Sequence, residues 1–191
     1  MFAVPASLAL APDEVLGRAV GKLSKSGNVD CKFAITGNNG SINGSLSASG
    51  RKFRMTTSMG STWYDGKNMW TSNPETKEIT IVNPTEGEVR ESNPFSYLDS
   101  YASHYRLFFS KRKDDARYLV LLNPKSAKSD IKAVEVAVNK KTFMPERFII
   151  RDRNDNVTTI NIKSLSLASY PQGTFVCPVD KMKDYELIDL R

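Results

Sequence analysis

The residues of this chain that could perform chemistry are few and scattered. The single histidine, His104, lies near the end of a predicted helix, where a lone histidine is most often a surface or capping residue. Paired carboxylates occur at Asp114 and Asp115 and again at Asp152 and Asp155, in turns rich in lysine or arginine. Solvated charges are expected in such turns. No GxSxG or P-loop motif is present. The sequence therefore predicts no catalytic residues, and we expect the protein not to be an enzyme.

Two cysteines, Cys31 and Cys177, are separated by most of the chain. Neither belongs to a CxxC motif or a Cys/His cluster, so we expect no metal site and no cofactor. In an oxidising compartment the two could form a disulfide that ties an early strand to the C-terminal segment. The alternative is a pair of buried free thiols, which behave as small hydrophobic side chains.

The charge pattern argues against a nucleic-acid partner. The net charge is +6 and the pI is about 9.3, but acidic residues are interspersed among the lysines and arginines. The densest basic run, at 111–113, is followed at once by two aspartates. Such a distribution indicates a solvated surface rather than a footprint for a polyanion.

The first eleven residues, MFAVPASLALA, carry no charge and are too few to cross a bilayer as a helix. They end in a small-x-small pattern typical of a signal-peptidase site, although the positive n-region is missing. We expect residues 1–11 to be a signal-peptide remnant, with an apolar arm packed on the domain as the alternative. Residues 12–191 are expected to form a single domain. Because no later segment is apolar enough to span a membrane, stable membrane insertion is not expected.

Two segments have helical spacing. The first follows Pro12, with Asp13 as its N-cap. Its apolar residues form one stripe: Val15, Leu16, Ala19, Val20 and Leu23. The second is predicted to begin at Asn93 and Pro94, with Asn as cap and Pro at the first helical position. Its apolar side comprises Phe95, Leu98, Tyr101, Ala102 and Tyr105.

The rest of the chain alternates with a period of two and is punctuated by turn signals such as Asp65-Gly66. About ten or eleven strands are predicted, so the expected fold class is mostly β (α+β) and antiparallel. A sheet of that size curls or closes, and the two helices are available to cover one face. The pattern fits a container with a lid, but taken alone it favours an ordinary core, because most such stripes are core and periodicity does not distinguish a filled interior from a cavity.

Several motifs resemble those of the periplasmic outer-membrane lipoprotein carriers, the LolA-like family. Residues 63–70, WYDGKNMW, followed by Asn73-Pro74, are similar to the family pattern D-G-K-x-[LM]-W-x-x-[ND]-P. An Asn-Pro-Phe helix start, an F-x-C-P segment at 175–178 and the ending YELIDLR follow in the family's order. The resemblance extends over nearly the whole chain after residue 12.

The resemblance implies an incomplete antiparallel barrel lidded by helices. It also implies a monomeric periplasmic carrier of acylated lipoproteins, with a release complex in the inner membrane and an acceptor in the outer membrane. The acyl-binding residues that carry over from the family are Val20, Phe33, Phe53, Met55, Trp63, Met69, Trp70, Phe95 and Leu98.

One feature departs from the family pattern. Many carriers have an Arg-Pro pair before the third strand, and that arginine hydrogen-bonds to the lid. Here Ser49 and Gly50 take this place, and Arg51 comes next. Either Arg51 controls the lid instead, or apolar contacts alone hold the closed state. This departure leaves room for an alternative function, a binding module or sensor for another lipid or amphiphile on the same fold.

Overall fold

In the computed structural model, which describes residues 10–24, 27–38, 40–99 and 101–191, twelve strands form one open sheet. The strands are β1 (Asn28–Gly37), β2 (Gly40–Ser49), β3 (Lys52–Thr57), β4 (Gly60–Tyr64), β5 (Met69–Asn73), β6 (Glu78–Val82), β7 (Tyr105–Phe109), β8 (Arg117–Pro124), β9 (Ile131–Asn139), β10 (Pro145–Asp152), β11 (Val157–Leu167) and β12 (Glu186–Asp189). The helices are α1 (Pro12–Ser24), α2 (Glu86–Ser92), α3 (Ser96–Asp99) and α4 (Tyr101–His104).

The sheet consists of two meanders joined at its centre. Its strand order is β12-β6-β5-β4-β3-β2-β1-β11-β10-β9-β8-β7. Neighbours along the chain pair within each meander, and the antiparallel pairing of β1 with β11 joins the two. The edges are β7 and β12, so the sheet is not closed. The predicted fold class, a mostly β incomplete antiparallel barrel with a helical cover, is confirmed. The strand absent from the prediction is β12, which pairs in parallel with β6.

The middle of the chain is less regular than predicted. Instead of one helix that begins at Asn93, the structure has α2 before that residue and two four-residue helices, α3 and α4, after it. The signal for α2 is a capping box: the Thr85 hydroxyl accepts from the Glu88 N–H at 3.3 Å, and the Glu88 carboxylate accepts from the Thr85 N–H at 2.7 Å. The Asn93 side chain then accepts from the Phe95 N–H at 3.0 Å, which turns the chain into α3.

The helices cover one face of the sheet, here called the helix face. The apolar stripe of α1 lies on it, and Val15, Leu16 and Ala19 are 0% exposed. Burial of one such large apolar side chain stabilises the fold by about 1.5–3 kcal/mol. The largest fully buried sheet residues of this cluster are Leu46, Phe53, Val120, Leu122, Val134, Val136, Val138 and Phe148.

The opposite face is crossed by residues 168–185, here called the strap. The Tyr170 hydroxyl in the strap donates to the Val29 carbonyl at 2.7 Å. Further along, Cys177 is buried with Val179, Met182 and Tyr185 packed around it. This strap gives the sheet a second, smaller core and leads the chain to its last strand.

Of residues 1–11, predicted to be a signal-peptide remnant, residues 1–9 lie outside the described part. Leu10 packs against the helix-face cluster.

Candidate functional site

A crevice of about 220 Å³ remains on the helix face beside the C-terminal half of α1. Its lining is mainly apolar and comes from α1, from β1 and β2 with the turns that flank them, and from the segment that leads into α3. The lining residues are Val20, Leu23, Gly27, Val29, Ala48, Gly50, Asn93, Phe95 and Leu98. Three of the predicted acyl-binding residues, Val20, Phe95 and Leu98, therefore meet at one site.

Each wall of the crevice is held by the packing beneath it. In α1, Leu16 and Ala19 are fully buried, so Val20 at the edge of the stripe faces the crevice while remaining only partly buried. On the other wall, the Phe95 ring packs edge-to-face on Phe148, with 5.8 Å between centroids. Both walls therefore rest on buried side chains, and the crevice lies between them.

A polar contact also joins α1 to α4, one of the three helices α2–α4 in the middle of the chain, here called the middle helices. The Tyr101 hydroxyl donates to the Asp13 carbonyl at 3.4 Å, and it lies close to Gly17, which has no side chain to displace it. Burial, and after it the nearby charge of Asp13, raise the pKa of Tyr101. This long hydrogen bond is weak, and it leaves most of the attachment of α1 to apolar packing.

Four other predicted residues share the helix face but do not line the crevice. Phe33, Phe53 and Met69 are buried in the core, and Met55 packs against it. The Phe33 ring lies directly over Gly44, where an added Cβ would stand 2.5 Å from the ring. These side chains fill the interior of this closed arrangement and do not meet at the crevice.

The two tryptophans lie on the other face, contrary to the prediction. In the β4–β5 hairpin, Trp63 pairs with Trp70 and Tyr64 pairs with Met69. Because side chains alternate along a strand, Met69 and Trp70 cannot point to the same face. Met69 belongs to the helix-face cluster, while both tryptophans pack beneath the strap.

The Asp-Gly turn of the family motif explains this hairpin. The Asp65 carboxylate accepts from the N–H groups of Lys67 at 2.8 Å and Asn68 at 2.7 Å, and Gly66 has a φ of 101°. Only glycine adopts this backbone conformation readily. The motif therefore has a structural role: it fixes the register that places the tryptophans together under the strap.

The candidate disulfide is not formed, and both thiols are free and buried. Cys31 belongs to the helix-face cluster and Cys177 to the cluster under the strap, so the sheet separates them. Burial raises the pKa of Cys31 to about 12 and that of Cys177 to about 11. Both side chains act as small hydrophobic groups, which was the alternative drawn from the sequence.

Arg51, the candidate for lid control, pairs with Glu86 at the first residue of α2. Their mutual hydrogen bond raises the pKa of Arg51 and lowers that of Glu86. Both side chains are more than half exposed, so salt screens the attraction. The pair links the turn at Gly50, which borders the crevice, to α2. Control of the lid by Arg51 stays a prediction.

The carboxylate pairs noted in the sequence hold turns. Asp114 accepts from the N–H groups of Ala116 and Arg117, and Asp152 accepts from those of Asn154 and Asn156. Among the described residues, no group of three or more histidine, cysteine, aspartate or glutamate side chains is placed to hold a metal ion. Within the same residues, no helix has the length and hydrophobicity needed to cross a bilayer.

The family assignment comes from a model built on related sequences. The model for the outer membrane lipoprotein carrier protein LolA matches residues 4–154. This chain belongs to the LolA family. The match ends in the turn after β10, so β11, the strap and β12 lie beyond it. A comparison with curated proteins gives no match.

Solved structures share the LolA family's fold at low identity. An uncharacterized conserved protein from Thermus thermophilus is 15% identical, with a TM-score of 0.61 over 93% of this chain and 98% of that one. A DUF1329 family protein from Desulfovibrio piger is 10% identical, with a TM-score of 0.53 over 88% and 98%. A LolA superfamily protein from Nitrosomonas europaea is 12% identical, with a TM-score of 0.48 over 90% and 100%. At these identities the similarity concerns the fold alone.

Proposed function

We propose that the protein is a periplasmic carrier that shelters lipoprotein acyl chains in the crevice between α1 and the middle helices, and that it catalyses no reaction. The observation that supports this most directly is the meeting of Val20, Phe95 and Leu98 at an apolar crevice in a LolA-family chain. Exposure of an acyl chain to water costs about 0.8 kcal/mol per CH₂ group. A carrier must therefore cover the chain and still release it to an acceptor.

The size of the crevice indicates a closed resting state. Its volume of about 220 Å³ is smaller than the roughly 300–1,000 Å³ of ordinary small-ligand sites. One segment of a single chain fits this space, and a diacylated cargo requires α1 to move away from the sheet. The helices α1–α4 that lie over the helix face are here called the cover. The cover is weakly held beside the crevice, because Val20 and Leu23 are only partly buried and α3 and α4 have four residues each.

Partners follow from the same proposal. A monomeric carrier of this kind accepts acylated lipoproteins from a release complex in the inner membrane and delivers them to an acceptor in the outer membrane. The Arg51–Glu86 pair supports a role for the turn at Gly50 in opening, because it joins that turn to the helices of the cover.

Binding to an acylated peptide tests the proposed function. Delipidated protein should bind a fluorescent diacylated peptide saturably, and an unlabelled acylated peptide should compete while the same peptide without acyl chains should not. Circular dichroism of the delipidated sample provides the control for folding. A folded sample that binds no acylated peptide would overturn the proposal.

A second candidate function is a binding module for a different amphiphile. It is favoured by a neighbouring cavity that shares Gly50 with the crevice and is lined in part by Arg51, Glu86 and Arg90, which a ligand with only acyl chains would not use. Native mass spectrometry of protein purified from its natural compartment separates the two: co-purified acylated protein supports the carrier, and a small lipid supports the module.

A further inference from the structure

The crevice is the first of three cavities that adjoin one another around α2. Gly50 borders both the crevice and a second cavity of about 650 Å³. Arg90 and His104 border that second cavity and also a third, of about 270 Å³, between α2 and the loop that follows β8. The apolar crevice is therefore a neighbour of cavities with charged walls.

The charges around these cavities have a small positive excess, since Arg51, Arg90 and Lys128 face the carboxylates of Glu86 and Asp130. The second cavity contains Arg51 and Glu86, which neutralise each other. The third contains Arg90, His104 and Lys128, with Asp130 as its carboxylate. Asp130 and Lys128 are exposed to solvent, whereas Arg90 is partly buried.

Arg90 is a partly buried cation that borders both the second and the third cavity. In the described part of the chain no hydrogen bond or salt bridge holds its guanidinium, although its charge adds to the Arg51 hydrogen bond in lowering the pKa of Glu86. Arg90 lies near Tyr105, since burial raises the pKa of that tyrosine and the charge of Arg90 opposes the rise. This guanidinium is accessible to a ligand, and its planar fork matches the oxygens of a phosphate or a carboxylate.

We propose that Arg90, assisted by Lys128, binds the phosphate headgroup of a single-chain amphiphile whose acyl chain lies in the crevice. The crevice has room for one chain segment, and the turn at Gly50 is the point where chain and headgroup separate. The site therefore recognises an anionic amphiphile rather than an uncharged one. This inference rests on the proposed acyl-binding function of the crevice.

The test compares two ligands that share one oleoyl chain, lysophosphatidic acid and monoacylglycerol, by calorimetric titration of the delipidated protein. Lysophosphatidic acid should bind about tenfold more tightly at low salt, because charged hydrogen bonds contribute more than neutral ones. Arg90→Gln should reduce this preference to within about twofold and leave monoacylglycerol affinity unchanged. Arg106→Gln, at an exposed β7 residue that borders none of the three cavities, is the matched control and should retain the preference.

Lys128→Gln gives a second variant at an exposed position, where misfolding is not expected; it should lower the preference by about threefold. A wild-type protein that binds both lipids equally, or a preference that survives Arg90→Gln, would overturn the headgroup site. Inorganic phosphate that binds as tightly as lysophosphatidic acid would assign the site to a free anion and also overturn it. If neither lipid binds, the acyl crevice fails as well; monoacylglycerol binding without a phosphate preference refutes the headgroup site alone.

Discussion

Val20 lies where the buried stripe of α1 meets the crevice. Its neighbours Leu16 and Ala19 are fully buried, while Val20 itself is partly buried and touches the space proposed for an acyl chain. A change at this residue therefore alters the site with less disturbance of the core than a change one turn earlier. The exposed residue Lys22 on the same helix provides a comparison.

Val20→Glu should weaken binding of an acylated peptide by tenfold or more, because a carboxylate in an apolar crevice is poorly solvated. Lys22→Glu, with the same new side chain on the exposed side of α1, should change the affinity by less than about twofold. Fluorescence titration of both variants checks the prediction. Equal losses in the two variants would indicate that charge, and not the crevice, governs binding.

Cys31 predicts a pH dependence of stability. Its pKa rises from 9.0 in an exposed thiol to about 12 in the folded protein, because burial disfavours the thiolate. Between these values the unfolded chain has lost the thiol proton and the folded chain has not. The unfolded state therefore binds fewer protons, and the free energy of unfolding falls as the pH rises above 9.

In Cys31→Ala this contribution is absent. The fall in unfolding free energy from about pH 8 to about pH 10.5 should be shallower than in the wild type, by at most about 1.4 kcal/mol per pH unit. Urea unfolding at several pH values measures both slopes. Identical slopes would show that the thiol is not buried in the folded state.

At the scale of elements, the β4–β5 hairpin sends its side chains to both faces of the sheet, whereas the family resemblance assigns Trp63, Met69 and Trp70 to one acyl-binding surface. Its period of two sends Tyr64 and Met69 to the helix face and the tryptophans to the strap. Alternation alone could have predicted that Met69 and Trp70 lie on opposite faces, since they are adjacent. The Thr85-x-x-Glu88 capping box was also a readable signal for α2. The strap was not predictable, because it has little regular structure and its contacts are distant in sequence.

Two alanine substitutions separate these roles. Trp70→Ala and Phe95→Ala should each lower the free energy of unfolding by about 3–5 kcal/mol, because both rings are buried. Phe95→Ala should also weaken acyl-peptide binding, whereas Trp70→Ala should leave it within about twofold of wild type under conditions where the protein is folded. Denaturant unfolding and binding are measured on the same samples. A loss of binding in Trp70→Ala alone would place the acyl site under the strap.

The Arg51–Glu86 pair belongs to the attachment of the cover. Arg51→Gln should leave the unfolding midpoint nearly unchanged, because exposed ion pairs contribute little. It should raise the dissociation rate of a bound acylated peptide by about twofold, and added salt should have the same effect on the wild type. Stopped-flow displacement measures the rate. If neither the substitution nor added salt changed the dissociation rate, apolar contacts alone would hold the closed state, which is the other alternative drawn from the sequence.

For the whole molecule, the sequence was sufficient for the fold class and insufficient for the cavity. Alternation and turn signals predicted eleven of the strands, because each hairpin is a local feature. β12 escaped prediction because it has four residues and pairs in parallel with β6, about a hundred positions earlier. Whether the helix face is filled depends on how individual side chains pack, and the Phe33 ring over Gly44 is an example. The periodicity of apolar residues does not encode this packing.

The location of the bound acyl chain tests this account most directly. A peptide with a photoreactive acyl chain can be cross-linked to the wild-type protein, and the modified residues can be mapped by mass spectrometry. We expect labels at the residues that line the crevice, which are Val20, Leu23, Gly27, Val29, Ala48, Gly50, Asn93, Phe95 and Leu98. Labels confined to Trp63, Trp70 and the strap, or the same pattern with Val20→Glu as with the wild type, would contradict it.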